Sequence, residues 1–446
     1  MSPTQQKLAI RLVVGLFAIA ILFAGWNWFT DFLKDPDTVR FESVDHVAAI
    51  RTVGSVSQVV VLKPNGEEIL SPVPDGFDPA KPEDKPFNDQ SVSWAPNGFQ
   101  VFFSSNRSSP SFNIYRWNPA RKDVEQRSTG SRSQTTPLFG PQNLADPSRS
   151  GMILSGGFVF RYDPKETVTE QVLPPVMKNR LASGEEGATG PLDQLYRDIG
   201  SSFKDAQWGA DQTSVFAVMR RDLGEIFIMN PLGRDSQGMF LRPRPVIAGR
   251  TIQMAVTPDG TTAVVSLRGF QYISPDQIPE DMRNRDGTAR NPWEHGLIRV
   301  ILKPTSEKDR PLDVQVEPIA LWRPAQEEEQ EVPETVFLDP AISPDGTAIA
   351  VVVARVLGPN QLQPQGIALV PNVSGGGTQT RFLLSGEVSS PSWSADGKSL
   401  SFIRRVNGRG HVFIVNLSNG TERQLTRGEA DYSRPVMSPQ LPAASQ

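Results

Sequence analysis

The side chains able to do chemistry are few and scattered. There are no cysteines, which excludes disulfides, thiolate metal sites and cysteine nucleophiles, and the imidazoles are His46, His295 and His411, far apart in the chain. A serine hydrolase would need a Gly-x-Ser-x-Gly elbow on a strand-to-helix turn, and no such pentapeptide occurs. Aspartate or asparagine followed by glycine does recur, with the acid or amide at Asn97, Asp259, Asp345 and Asp396. Spread one per repeat, these residues do not converge on one ion, and their tolerance of turn backbone explains them. No catalytic, metal or cofactor residue is assigned, and the chain is read as a non-enzyme. The rival reading is a propeller enzyme or a small-ligand or glycan receptor that uses acidic residues at a central channel.

The turn residues belong to a repeated element. WAPNG from Trp94, WGADQ from Trp208, VTPDG from Val256, ISPDG from Ile342 and WSADG from Trp393 all carry it, and LFGPQ from Leu138 is a degenerate copy that aligns Phe139 with the tryptophans. Each copy is followed by short apolar runs, such as Leu400, Phe402 and Ile403 and then Val412 to Leu417, separated by tight turns like Asn419-Gly420. Short β-prone runs joined by Asn-Gly and Asp-Gly pairs predict antiparallel hairpins. A spacing of about 45 residues suits one four-stranded propeller blade, and the longer intervals Phe139 to Trp208 and Val256 to Ile342 read as blades with insertions. Recurrence of the tryptophan at one place in the unit points to packing between blades rather than to a binding site.

The two ends supply a further unit. His46 to Val53, Ser57 to Leu62 and Glu67 to Leu70 look like three later strands without a leading one, while Arg434 to Pro439 looks like a leading strand with nothing after it. Pairing them closes the ring and removes exposed edges. The expected fold is all-β: a β-propeller of seven blades, with six or eight as fallback counts, closed by strands from both termini and preceded by one transmembrane helix.

PSWSADG, FIVNLSNG and RQLT between Pro391 and Thr426, and SVSWAPNG with FFSSNR and NIYRWN between Ser91 and Asn118, resemble the repeat of TolB-type periplasmic β-propellers. The likeness covers roughly residues 40 to 440 and is sharp in those two units. It implies a periplasmic propeller that works through protein partners. The Ser-x-Asp-Gly turns differ from sialidase Asp-boxes, in which one residue separates the Asp from the Gly.

Leu12 to Phe29 is nearly uninterrupted apolar sequence, long enough to span a bilayer, with Lys7 and Arg11 before it and Asp31, Asp35 and Asp37 after it. It reads as an uncleaved signal anchor, with a cleaved signal peptide and a buried soluble helix as the alternatives. The resulting organisation is a short cytoplasmic segment at 1–11, an anchor at 12–29, a linker at 30–40, a propeller at 41–440 and a tail at 441–446. The expected location is the cell membrane, single-pass, with the propeller periplasmic or extracellular. A formal charge of −4 carries no footprint for nucleic acid.

If the repeats are scaffold, function belongs to the segments inserted between them. Pro174 to Lys204 contains a short helix-like stretch with Leu192, Leu195, Tyr196 and Ile199 on one face, suited either to docking a partner or to capping the propeller. Gln271 to Gly296 carries Trp293 and Glu294, the tryptophan being an interface anchor or a ring tucked on the propeller face. Arg323 to Glu334 is acidic and reads as a solvated loop. The functional expectation is an interaction scaffold or accessory subunit whose protein partners lie in the envelope or inner membrane.

Overall fold

The computed structural model describes residues 45–78, 86–127, 253–272, 295–322 and 334–439 apart from short gaps, together with the backbone of the strands between residues 138 and 252. The chain divides into two units, Met1–Phe41 and Glu42–Gln446, and the described residues belong to the second.

Strands β1 (Val47–Val53), β2 (Val56–Leu62) and β3 (Glu68–Leu70) form an antiparallel meander. Gly54, at φ 59°, supplies the left-handed residue that the two-residue turn between β1 and β2 requires. Two four-stranded meanders follow: β4 (Asp89–Trp94), β5 (Val101–Ser105), β6 (Asn113–Trp117) and β7 (Val124–Gln126), then β8 (Leu138–Phe139), β9 (Met152–Ser155), β10 (Phe158–Arg161) and β11 (Glu170–Gln171). A seven-stranded sheet comprises β12 (Phe203–Trp208), β13 (Val215–Arg220), β14 (Gly224–Met229), β15 (Arg244–Val256), β16 (Thr262–Tyr272), β17 (His295–Pro304) and β18 (Leu312–Trp322). Within it β15 serves twice, pairing with β14 over Arg244–Gly249 and with β16 over Ile247–Val256.

The last two meanders are β19 (Thr335–Ile342), β20 (Ala348–Gly358), β21 (Gln361–Pro371) and β22 (Arg381–Ser385), then β23 (Val388–Trp393), β24 (Ser399–Val406), β25 (Arg409–Asn416) and β26 (Glu422–Gln424). Finally β27 (Asp431–Met437) lies beside β1, so the first sheet reads β27-β1-β2-β3 and joins the two ends of the described chain. The closing strand expected at Arg434 to Pro439 therefore begins earlier, at Asp431.

The six aligned positions, Trp94, Phe139, Trp208, Val256, Ile342 and Trp393, are each the final residue of β4, β8, β12, β15, β19 and β23, respectively. Met437 holds the same place at the end of β27.

Middle strands are continuously apolar because both of their faces are covered. Along β20, Ile349, Val351 and Val353 pack with Val264 and Leu297 of the preceding sheet. The intervening Ala350 and Val352 pack with Phe402 and Val415 of the following one. The period of two thus sorts one strand's side chains between two cores. Fully burying a residue such as Phe402 contributes about 1.5–3 kcal/mol.

One expectation is overturned. The cell-membrane location is corrected, because no helix among the described residues is long and apolar enough to cross a membrane. The described chain instead satisfies its backbone polar groups between strands. Leu12 to Phe29 lies outside the described residues.

Candidate functional site

Two strand-end tryptophans, Trp94 and Trp393, are straps between sheets. Trp393 Nε1 donates to the Ala341 carbonyl at 2.9 Å, and Trp94 Nε1 donates to the Val436 carbonyl at 2.9 Å. Ala341 and Val436 each stand one residue before the end of their own strand. Neighbouring first strands therefore run side by side at the same level, and each indole meets the hydrogen-bonding need of its own buried edge.

Three residues before these strand ends the backbone turns left-handed: Ser91 (φ 56°), Asp339 (φ 48°), Ser390 (φ 52°) and Arg434 (φ 51°). Each falls at a register shift, a bulge in which the first strand carries an extra residue. Proline follows three of the four, as Pro340, Pro391 and Pro435, so the unpaired residue leaves no amide unsatisfied there. A non-glycine residue in this conformation costs about 1–3 kcal/mol and persists only where its surroundings hold it.

What holds these residues is a collar of side-chain bonds across the seams between sheets. Asp339 Oδ2 accepts from the Ser390 amide at 2.9 Å and from Ser390 Oγ at 3.3 Å. Gln253 of β15 grips the same residue from the other side, donating to Asp339 Oδ1 and accepting from the Asp339 amide. Further round, the Met437 amide donates to Ser392 Oγ at 3.1 Å, and Arg434 Nη1 donates to Ser91 Oγ at 2.7 Å. Asp339 spends both oxygens on its neighbours. Arg434 is exposed, and Ser91 is its one side-chain partner named among the described residues.

A buried ion pair flanks the seam between β27 and β4. Arg107 Nη2 lies 2.6 Å from Asp89 Oδ2, with side chains 6% and 0% exposed. Arg107 also donates to the Pro72 carbonyl at 2.9 Å, and its guanidinium lies 5.0 to 5.5 Å from the ring centroids of Phe87, Phe103 and Tyr115. Asp89 accepts the Val59 amide of β2 at 3.1 Å, so the pair ties the first sheet to the second. Carboxylate, guanidinium and rings satisfy one another, as a charge removed from water requires.

Beside the closing strand, Tyr432 donates to Glu68 Oε1 at 2.5 Å. Burial, reinforced by that carboxylate, pushes its phenol up to about 12. The buried His411 ring lies tilted against that of Tyr432, 6.0 Å between centroids, and burial pushes its pKa down.

The described turn aspartates, Asp345 and Asp396, bond within their own turns: Asp396 Oδ1 accepts from the Lys398 amide at 3.0 Å and Ser394 Oγ at 2.7 Å, which lowers its pKa. Among the described residues no group of three or more His, Asp or Glu side chains is placed to hold a metal ion.

Connections alternate between two ends of the sheets. Those from first to second and from third to fourth strand leave at the turn end, and the remainder leave at the opposite, loop end. The three longest connections, 71–88, 172–202 and 273–294, all leave from the loop end, whereas the next longest, 230–243, leaves from the turn end. Leu192, Leu195, Tyr196, Ile199, Trp293 and Glu294 lie within two of these connections and outside the described residues. The insertions are shorter than expected, since Phe203 opens β12, Gln271 and Tyr272 complete β16, and His295 opens β17. Residue types alone do not reveal the collar, although Pro340, Pro391 and Pro435, two residues before each strand end, mark three of the four left-handed bulges.

Four-stranded meanders joined first strand to first strand and closed by both ends of the chain define a β-propeller. No protein-family model matches the chain, and no curated protein matches it. Among solved structures, the chain is similar to the Cps50 (Swd1) β-propeller domain of Myceliophteria thermophila, with TM-score 0.45, 10% identity and coverage of 84% of this chain and 97% of that one. It is also similar to a protein from Lactobacillus plantarum, with TM-score 0.44, 10% identity and coverage of 89% and 97%. TolB from Acinetobacter baumannii matches with TM-score 0.24, 13% identity and coverage of 79% and 82%.

Proposed function

We propose that the protein is a TolB-like, seven-bladed propeller that acts as a protein-interaction scaffold through its loop end. Counting β15 as the outer strand of one blade and the inner strand of the next resolves the seven-stranded sheet into two blades beside the five four-stranded sheets. The observation that carries the functional reading is the asymmetry of the connections. The turn end is made largely of tight Asp-Gly and Asn-Gly turns whose side chains bond to their own backbone. The loop end carries the longest segments and exposes Val53, Leu357 and Leu362, which are 51%, 55% and 40% accessible. Leu357 and Leu362 stand near the tip of the β20–β21 hairpin, which runs beyond the strands on either side of it: β19 reaches only to the Thr335–Arg355 pair and β22 only to the Gly366–Ser385 pair. Exposed apolar residues on projecting loops, mounted on a rigid scaffold, suit recognition of another protein.

Photo-crosslinking amino acids placed at Val53, Leu357 or Leu362, and at Lys398 or Ser418 of the turn end, test this in the native host. The expected result is one discrete protein adduct from the loop-end positions and none from the turn end. Adducts from neither end, or equally from both, would overturn the reading.

A further inference from the structure

We infer that Arg434 and Ser91 form a carboxylate-binding site in the collar, distinct from the loop-end docking surface. Two seams built on the same bulge carry the inference. Between β19 and β23, the left-handed serine Ser390 offers its amide and hydroxyl to a carboxylate, Asp339, which the preceding first strand supplies. Between β27 and β4, the left-handed serine is Ser91, and the preceding first strand supplies Arg434 at the place equivalent to Asp339. The second seam thus places a cation, aligned by its serine, where the first seam has a built-in anion.

Arg434 has the properties such a site needs. Its guanidinium carries five N–H donors, and Nη1 is already aligned by Ser91 at 2.7 Å, which leaves a donor edge for the paired bonds a carboxylate accepts. It is exposed, on the free edge of a strand whose other edge is paired to β1. It also holds positive φ, at 51°, where glycine or asparagine would sit with less strain. Among the described residues, the other collar groups are neutral or already paired, since Asp339 is saturated by Gln253 and Ser390.

The carboxylate could come from a peptide C-terminus or from a small dicarboxylic acid, and the test separates the two. A mixed-sequence hexapeptide pool with free C-termini, the same pool amidated, and succinate are each titrated against the full chain and against Arg434→Gln and Arg434→Gly. Arg434→Gly accepts the positive φ without strain, so it reports on folding as well as on the cation. Saturable binding of the free-acid pool or of succinate, weakened at least tenfold in both variants, is the expected result, and the probe that binds identifies the source. Binding unchanged in the variants, binding of the amidated pool as strong as that of the free acids, or no binding of either carboxylate would overturn the site.

Discussion

The seam between β19 and β23 and the seam between β27 and β4 are one design filled in two ways. Both have a tryptophan at a strand end donating to a carbonyl of the preceding first strand, and both have a serine in the left-handed conformation three residues earlier. At the first seam a carboxylate bonds the serine and a glutamine grips it from behind. At the second an arginine takes that place, and the cohesion moves to the buried Asp89–Arg107 pair at the margin. The difference teaches that the repeat specifies the backbone of a seam, while its electrostatics are specified seam by seam.

A parallel contrast separates two sheets. Phe103 stacks with Tyr115 and Phe402 stacks with Phe413, at 5.8 Å and 5.7 Å between centroids. An arginine lies over each pair, from non-equivalent positions. Arg107 is buried and bonded to the adjoining sheet through Pro72, whereas Arg404 remains a quarter exposed, with Glu422 as its acid partner. Only the buried one is expected to matter greatly to stability.

The largest expected effect follows from breaking that buried pair. Asp89→Ala leaves the Arg107 guanidinium uncompensated in the interior and is expected to cost about 3–5 kcal/mol in denaturant unfolding. Glu422→Ala, which removes the more exposed acid partner of Arg404, is expected to cost about 0–1 kcal/mol by the same measurement. Similar losses from the two substitutions would show that the sheets do not differ as described.

Next comes the collar carboxylate. Asp339→Ala removes the acceptor shared by Ser390 and Gln253 and is expected to cost about 1–3 kcal/mol. Ser390→Ala in the Asp339→Ala background should then add little of the hydroxyl's contribution, because the two residues share one bond network. Full additivity in the double-mutant cycle would dissolve the coupling drawn between them.

Smaller again is the effect of the straps. Trp94→Phe keeps most of the buried ring and loses the bond to Val436, for an expected cost of about 1–3 kcal/mol if the carbonyl is left unsatisfied. Trp393→Phe is expected to cost less, because that ring is only partly buried whereas Trp94 is buried. A reversed order would imply that the closing seam is the looser of the two.

The smallest effect is the dependence on pH at His411. Its folded pKa is depressed by burial, so the unfolded chain takes up the proton first. Its contribution to stability is present above the unfolded value of about 6.5 and is lost as pH falls through that value towards the folded one. Unfolding midpoints measured between pH 8 and pH 5 should decline with acid, and His411→Gln should flatten that decline. An unchanged slope in the variant would remove His411 as its source.

Much of this fold was legible from residue types. The aligned Trp94, Phe139, Trp208, Val256, Ile342 and Trp393 mark strand ends because an apolar residue followed by a turn-forming pair is a local signal. The pairing of the terminal strands followed from a missing strand at one end and a surplus strand at the other. The doubled role of β15 was not legible, since nothing in RPVIAGRTIQMAV marks where one blade yields to the next. Nor was the seam chemistry: Asp89 and Arg107 are ordinary polar residues in the chain, and only the approach of two sheets makes them a pair.

By itself the sequence determined the repeat, the turns and the closure, because hydrophobic periodicity and turn propensity act over a few neighbouring residues. The tertiary structure decided which polar groups meet across the seams, that Asp339 is saturated while Arg434 is exposed, and that the three longest connections share one end. Those facts depend on bringing together residues separated by whole blades, as Arg434 and Ser91 are, and no local rule in the chain encodes that meeting.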